Sequence, residues 1–253
     1  MKKSHRLPVL SLILAAAVLT IGTAACGGTN VLKTSAEGVP SQPDAPAPTP
    51  TAQPEAKTSL EGRFTYSQMG SFVDTVNPMI KEFFAAEYPN LRAPQNVVYV
   101  PANQRASSAC GTHDGTSYEY CPANDSIYVG QDLVWSFFRI GDAAPVIGLA
   151  HEWGHHLQSM KRLPSPRTAA ESVAYENQAD CIAGAWAQFA DEKGWLEADD
   201  DLADVSGLMR SIGSRESRAR DHGTVAERAT AFQKGFDGGL KACNAYVPSA
   251  PIF

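Results

Sequence analysis

Cysteine is scarce in this chain: five residues in 253, at positions 26, 110, 121, 181 and 243. No two of them stand at the close C-x-x-C spacing of a cysteine zinc site, which argues against a zinc ribbon. Positive charge is also short, with 21 Lys and Arg against 27 Asp and Glu, a net charge of −6. Lys2, Lys3 and Arg6 lie in the first 25 residues and no acid does, so the remainder carries 18 basic against 27 acidic groups, net −9. Such a balance argues against nucleic acid as a partner. From Thr29 to Thr58 almost nothing is available to bury, which excludes a packed domain there; the Pro/Ala/Thr-rich composition reads as a solvated tether.

What is present at the N-terminus is an export signal. Lys2, Lys3 and Arg6 precede an apolar run from Leu7 to Ile21, which is marginal for spanning a bilayer, and small residues lead to Cys26. The stretch resembles a bacterial lipoprotein signal. It divides the chain into a leader at 1–25, a tether at 26–58 and a domain at 59–253, and it implies lipidation of Cys26 and a place outside the cytoplasm, held to the membrane through that anchor. The other four cysteines form an even set in an oxidising compartment. Three pairings are open; the expected one joins Cys110 to Cys121 across a short loop and Cys181 to Cys243.

Histidine is sparse too, six residues in all, yet two stand four apart in His151-Glu152-Trp153-Gly154-His155. On a helix that spacing puts both imidazoles on one face, one turn apart, so both can reach a single ion. Glu152 can then approach a water at that ion without ligating it, the arrangement of a zinc peptidase. Val146, Ile147, Leu149, Ala150, Leu157 and Met160 supply the apolar positions of a buried helix over about 142–160. His156 lies about 140° from His151 around that helix, and is expected in the core or against a ligand rather than on the metal.

A catalytic zinc needs a third protein ligand. In a second predicted helix, over about 168–193, Glu176 and Asp180 are four apart and share a face. Glu176 could ligate while Asp180 accepts the free ring N–H of a ligand histidine. His222, before a third helix over about 224–240, is the remaining competitor. It opens a stretch in which Thr224 and Glu227 form a capping box.

The segments HEWGHHLQ, ENQADCIAGAWA, HGTVAERATAFQKGFDGG and ACGTHDGTSYEYCPANDSIYVG together resemble, in order and spacing, the bacterial family of neutral zinc metallopeptidases. The resemblance runs from about Leu60 to Cys243. It implies a zincin-like fold with one zinc per chain, His151, His155 and Glu176 as ligands, Glu152 as general base and a peptide or protein substrate. His222 then has two readings, a cap-and-packing residue or a cleft residue that donates to the oxyanion. The family commonly has leucine where Asn177 stands, glutamine where Glu227 stands, and a Gly-Pro-Phe-Tyr-Cys run in place of Ser117 to Cys121. A non-catalytic zinc-bearing envelope module is the alternative function.

Further helices are expected over 72–88 despite Pro78, 131–139 and 200–211, with short strands over 96–101 and 126–130. Few strands and many helices make a helix-rich α+β domain with a small sheet. The strand over 126–130, directly before the metal helix in sequence, is the expected edge for an extended peptide. Asp199, Asp200 and Asp201 read as capping acids rather than a calcium site. Arg210, Arg215, Arg218 and Arg220 suggest an exposed basic loop.

Overall fold

The computed structural model describes residues 59–213 and 222–253. The leader, Cys26, the tether, Arg215, Arg218 and Arg220 therefore lie outside the described residues. After a short 3-10 turn the chain forms α1 (Met69–Glu87), β1 (Asn96–Val100), β2 (Ala106–Ser108), β3 (Gly111–His113), β4 (Tyr118–Cys121) and β5 (Ser126–Gly130). Five helices follow: α2 (Gln131–Phe138), α3 (Ala143–Met160), α4 (Ala169–Glu192), α5 (Ala198–Gly213) and α6 (Val225–Cys243). This is the expected α+β class. No helix among the described residues is long and apolar enough to cross a membrane.

The sheet order is β1-β5-β4, with β1 parallel and β4 antiparallel to β5. The expectation for 126–130 is thus overturned: β5 is the central strand, buried at all five residues, and β4 is the edge beside α3. A continuous buried run such as Ser126 to Gly130 suits a strand covered on both faces and paired on both sides. The short strands β2, just before the cysteine-bracketed loop, and β3 and β4, within it, were not expected. At three or four residues each they are too short to show an alternating pattern.

Helix α3 is buried along most of its length. Trp153, inside the histidine motif, stacks on Phe84 of α1 with centroids 5.1 Å apart, and its indole N–H donates to Asn77 Oδ1 at 3.1 Å. Gly154 lies against α4: a Cβ there would stand 3.1 Å from Ala179 Cα. The missing side chain lets the α4 backbone approach the histidine helix. Helices α4 and α6 meet through glycines on both sides, since a Cβ on Gly184 would fall 2.0 Å from Phe232 O and one on Gly235 1.8 Å from Cys181 O. The Cys181–Cys243 bond joins the same two helices, and Cys110–Cys121 ties the β2–β3 loop to the end of β4, both as expected.

Caps follow the sequence signals. Thr168 with Glu171 and Thr224 with Glu227 form capping boxes at α4 and α6. Asp201 accepts the Glu197 N–H at 2.5 Å, which is the capping role expected of that acidic run. Arg210 is exposed but stands in the last turn of α5 rather than in a loop. Asp204 of the same helix accepts the Ala143 N–H at 3.3 Å and so caps α3 from a distance in sequence.

Asp142, Asp201 and Asp204 converge as a result. Burial, with the charges of Asp142, Asp204 and Glu197, raises Asp201 to about 7, and burial with Asp142, Asp200 and Glu61 raises Asp204 to about 6. A raised folded-state pKa means that the native protein binds the proton more tightly. The stability contributed is complete below the ordinary value and is lost as pH rises through about 6 to 7. Asp201→Asn, which keeps an acceptor but cannot ionise, is expected to raise the melting temperature relative to wild type more at pH 8 than at pH 5. An equal offset at both pH values would contradict the charge argument.

Candidate metal centre

The structure brings His151, His155 and Glu176 together, each offering a ligand atom within 4.8 Å of the others. Glu176 Oε2 lies 3.3 Å from His151 Nε2, and its Oε1 lies 3.4 Å from His155 Nε2. The opposite ring nitrogens are both committed. His151 Nδ1 donates to Asp180 Oδ1 at 2.9 Å, and His155 Nδ1 donates to Gln158 Oε1 at 2.8 Å. Gln158 is held in that orientation because its amide N–H donates to Tyr175 O at 2.8 Å. Both histidines therefore turn Nε2 toward the carboxylate, and Tyr175 stacks on His155 at 5.6 Å. Two imidazole nitrogens and one carboxylate, oriented from behind, are a donor set that fits zinc with a position left open.

Asp180 takes the place its spacing allowed, behind His151, and it has a second partner that sequence reasoning missed. Arg228 of α6 donates to it in a fork, Nε to Oδ2 and Nη2 to Oδ1, each at 2.9 Å. Both residues are buried. Burial opposes ionisation of Asp180, but Arg228 and His151 overcome it and hold the carboxyl below its usual value. The signal was available in principle: an arginine one turn after the Thr224 cap, on a helix whose neighbours pack tightly, needs an acid. Arg228→Met should leave that acid buried and uncompensated, costing about 3–5 kcal/mol in chemical denaturation and loosening zinc binding. Wild-type stability in the variant would show that the fork is dispensable.

Burial alone would lower the pKa of His151, yet Asp180 and Glu176 on its two sides raise it to about 10. A cation at Nε2 has to displace that proton, so metal affinity falls on acidification. Glu176 is held well below the ordinary carboxylate value; burial opposes this, and His155 and His151 prevail.

Glu152 stands outside the ligand cluster. Its Oε2 accepts the backbone N–H of Tyr120, on the edge strand β4, at 2.8 Å. Burial raises its pKa against the pull of the two histidines. His156 is fully buried and is no ligand: Nδ1 meets Asp125 Oδ1 at 2.7 Å and Nε2 donates to Arg92 O at 2.8 Å. The Tyr120 hydroxyl also donates to Asp125 Oδ1, at 2.8 Å. Asp125 thereby ties the edge strand to the histidine helix.

His222 borders the same cavity from an exposed position and does not belong to the ligand cluster. The cap of α6 is made by Thr224 and Glu227, and Gly223 between them and His222 has φ +88°, a turn that favours glycine. The run Ser117 to Cys121 is largely β4. Tyr118, Glu119 and Tyr120 from it line the cavity.

Comparison with known proteins identifies a family for the chain. The family model described as "Putative neutral zinc metallopeptidase" matches residues 8–246, and the chain belongs to that family. Among its relatives are the uncharacterized protein YpfJ of Escherichia coli strain K12, 33% identical over 156 residues, covering 51% of this chain and 54% of YpfJ. The uncharacterized protein Rv2575 of Mycobacterium tuberculosis strain H37Rv is 29% identical over 150 residues, covering 47% of this chain and 51% of the relative. The chain thus spans about half the length of the curated relatives it matches. No solved structure matches it significantly.

Proposed function

We propose that the protein is a zinc-dependent peptidase, anchored outside the cytoplasm as a lipoprotein through Cys26. The observation that carries the reading is the pairing of a three-residue donor set with a carboxylate that is not part of it, Glu152, held beside it by Tyr120 N–H.

His151, His155 and Glu176 would hold one zinc ion per chain. When bound, zinc supplies Lewis acidity, polarising a carbonyl oxygen and acidifying water. Glu152 accepts a proton from the attacking water and returns it to the leaving amine. Its raised pKa suits both transfers, because a carboxylate that is too acidic holds the proton poorly. Tyr120 N–H occupies one carboxylate oxygen and leaves the other for the water. Asp180 and Arg228 fix the orientation of His151, and Gln158 that of His155. His222, which borders the cavity, would donate to the oxyanion on the cleft reading of that residue.

The test compares envelope proteomes of cells carrying wild type or Glu152→Gln for new peptide termini, with metal analysis of the purified proteins. About one zinc per chain and termini confined to wild type are expected. Identical termini with zinc retained would favour a non-catalytic envelope module.

A further inference from the structure

The cavity at the centre has a volume of about 400 Å³. His151, Glu152, His155 and Glu176 line it together with Asp180, His222 and Arg228. The same cavity is lined by Leu133 and Phe137 of α2, Ile147 and Gly148 of α3, and Met209 and Ile212 of α5. None of these six carries a charge or a polar side-chain atom able to hydrogen-bond well. Glu119, the acid of β4 on the rim, is engaged by His113 Nδ1 at 2.6 Å. At Gly148 a Cβ would press on the Tyr118 ring at 3.2 Å, so the wall carries no side chain there.

Ile147 and Gly148 lie one turn of α3 before His151 and Glu152. A helical turn rises about 5.4 Å and consecutive Cα atoms of an extended peptide are about 3.8 Å apart. The apolar residues therefore begin about one to two residues of extended peptide from the histidine pair. We propose that this chamber receives a bulky aliphatic or aromatic side chain on a residue flanking the scissile bond, so the substrates are peptides with such a residue at that position. The inference rests on the peptidase reading above. A leucine or phenylalanine side chain gains by leaving water for this wall. An aspartate or lysine would lose its hydration against these apolar side chains. Ile212 and Leu133, both partly buried, are the residues best placed to set the depth of the chamber.

The experiment incubates the zinc-loaded full-length protein with a proteome-derived peptide library and reads the residues around each cleaved bond by mass spectrometry. One flanking position should be enriched in Leu, Ile, Met or Phe, with a preference over Asp, Lys or Gly of about 100-fold. Ile212→Trp, and independently Leu133→Trp, should move that preference to Ala or Ser while zinc content and melting temperature stay at wild-type values. Cleavage by wild type without apolar enrichment at either flanking position would overturn the chamber and leave the peptidase reading standing. No cleavage anywhere in the library would overturn the peptidase reading, and the inference with it.

Discussion

Glu152→Gln is expected to lower turnover by roughly 10²- to 10⁴-fold or more while leaving zinc content unchanged. Glutamine has the same shape, and its side-chain oxygen can still accept the Tyr120 N–H, so β4 and α3 keep their contact. What it cannot do is take a proton from water. Glu152 is absent from the ligand cluster, so its loss removes no donor atom. Turnover of a general protein substrate at the wild-type rate would refute the assigned base. Loss of zinc together with activity would place Glu152 among the ligands instead.

The second large effect concerns the third ligand. Glu176→Ala should lose most of the zinc, because its carboxylate bridges the space between both Nε2 atoms. Asp180→Ala should weaken binding by roughly 10- to 100-fold, since His151 loses the acceptor that fixes its ring. It should also destabilise the fold, because Arg228 would be left buried without its carboxylate. His222→Ala should keep the metal and slow turnover. A metal titration in which His222→Ala empties the site while Glu176→Ala leaves it full would overturn this order and indicate a three-histidine centre.

The residues of the centre were legible because they depend on spacing within single helices. His151 and His155 share a face by the geometry of one helix, and Glu176 and Asp180 by that of another. The disulfide pairing was legible for a related reason. With few cysteines and one short loop, Cys110 to Cys121 is the local closure, and the remaining two must meet. The start of α6 followed from Thr224 with Glu227, where capping chemistry is written in four consecutive residues; the same box at Thr168 with Glu171 was found only in the structure. His156 was placed away from the metal by the angle of the helix alone.

The expectation for the substrate edge failed for the opposite reason. Adjacency of Ser126 to Gly130 to the histidine helix carries no information about strand order, and β4 proved to be the edge. Each strand in this sheet is at most five residues, so pairing partners are selected by packing over α3 rather than by local pattern. The apolar chamber was equally hidden, because its wall is assembled from α2 and α3 together with α5, about 40 residues further along the chain.

Local helical geometry and composition alone determined that this protein has a helix-rich domain carrying a histidine pair, a neighbouring carboxylate and two cysteine links. A periodicity of 3.6 residues is a property of consecutive residues and needs no partner. Which strand faces the site, that Arg228 pins Asp180, that Asp125 joins β4 to α3, and what lines the cavity were decided by the tertiary structure. The two polar contacts join residues 31 and 48 apart in sequence, Asp125 with His156 and Asp180 with Arg228. Where α4 packs on α3 and α6, Gly154, Gly184 and Gly235 let backbones approach closely, and that approach depends on both surfaces at once.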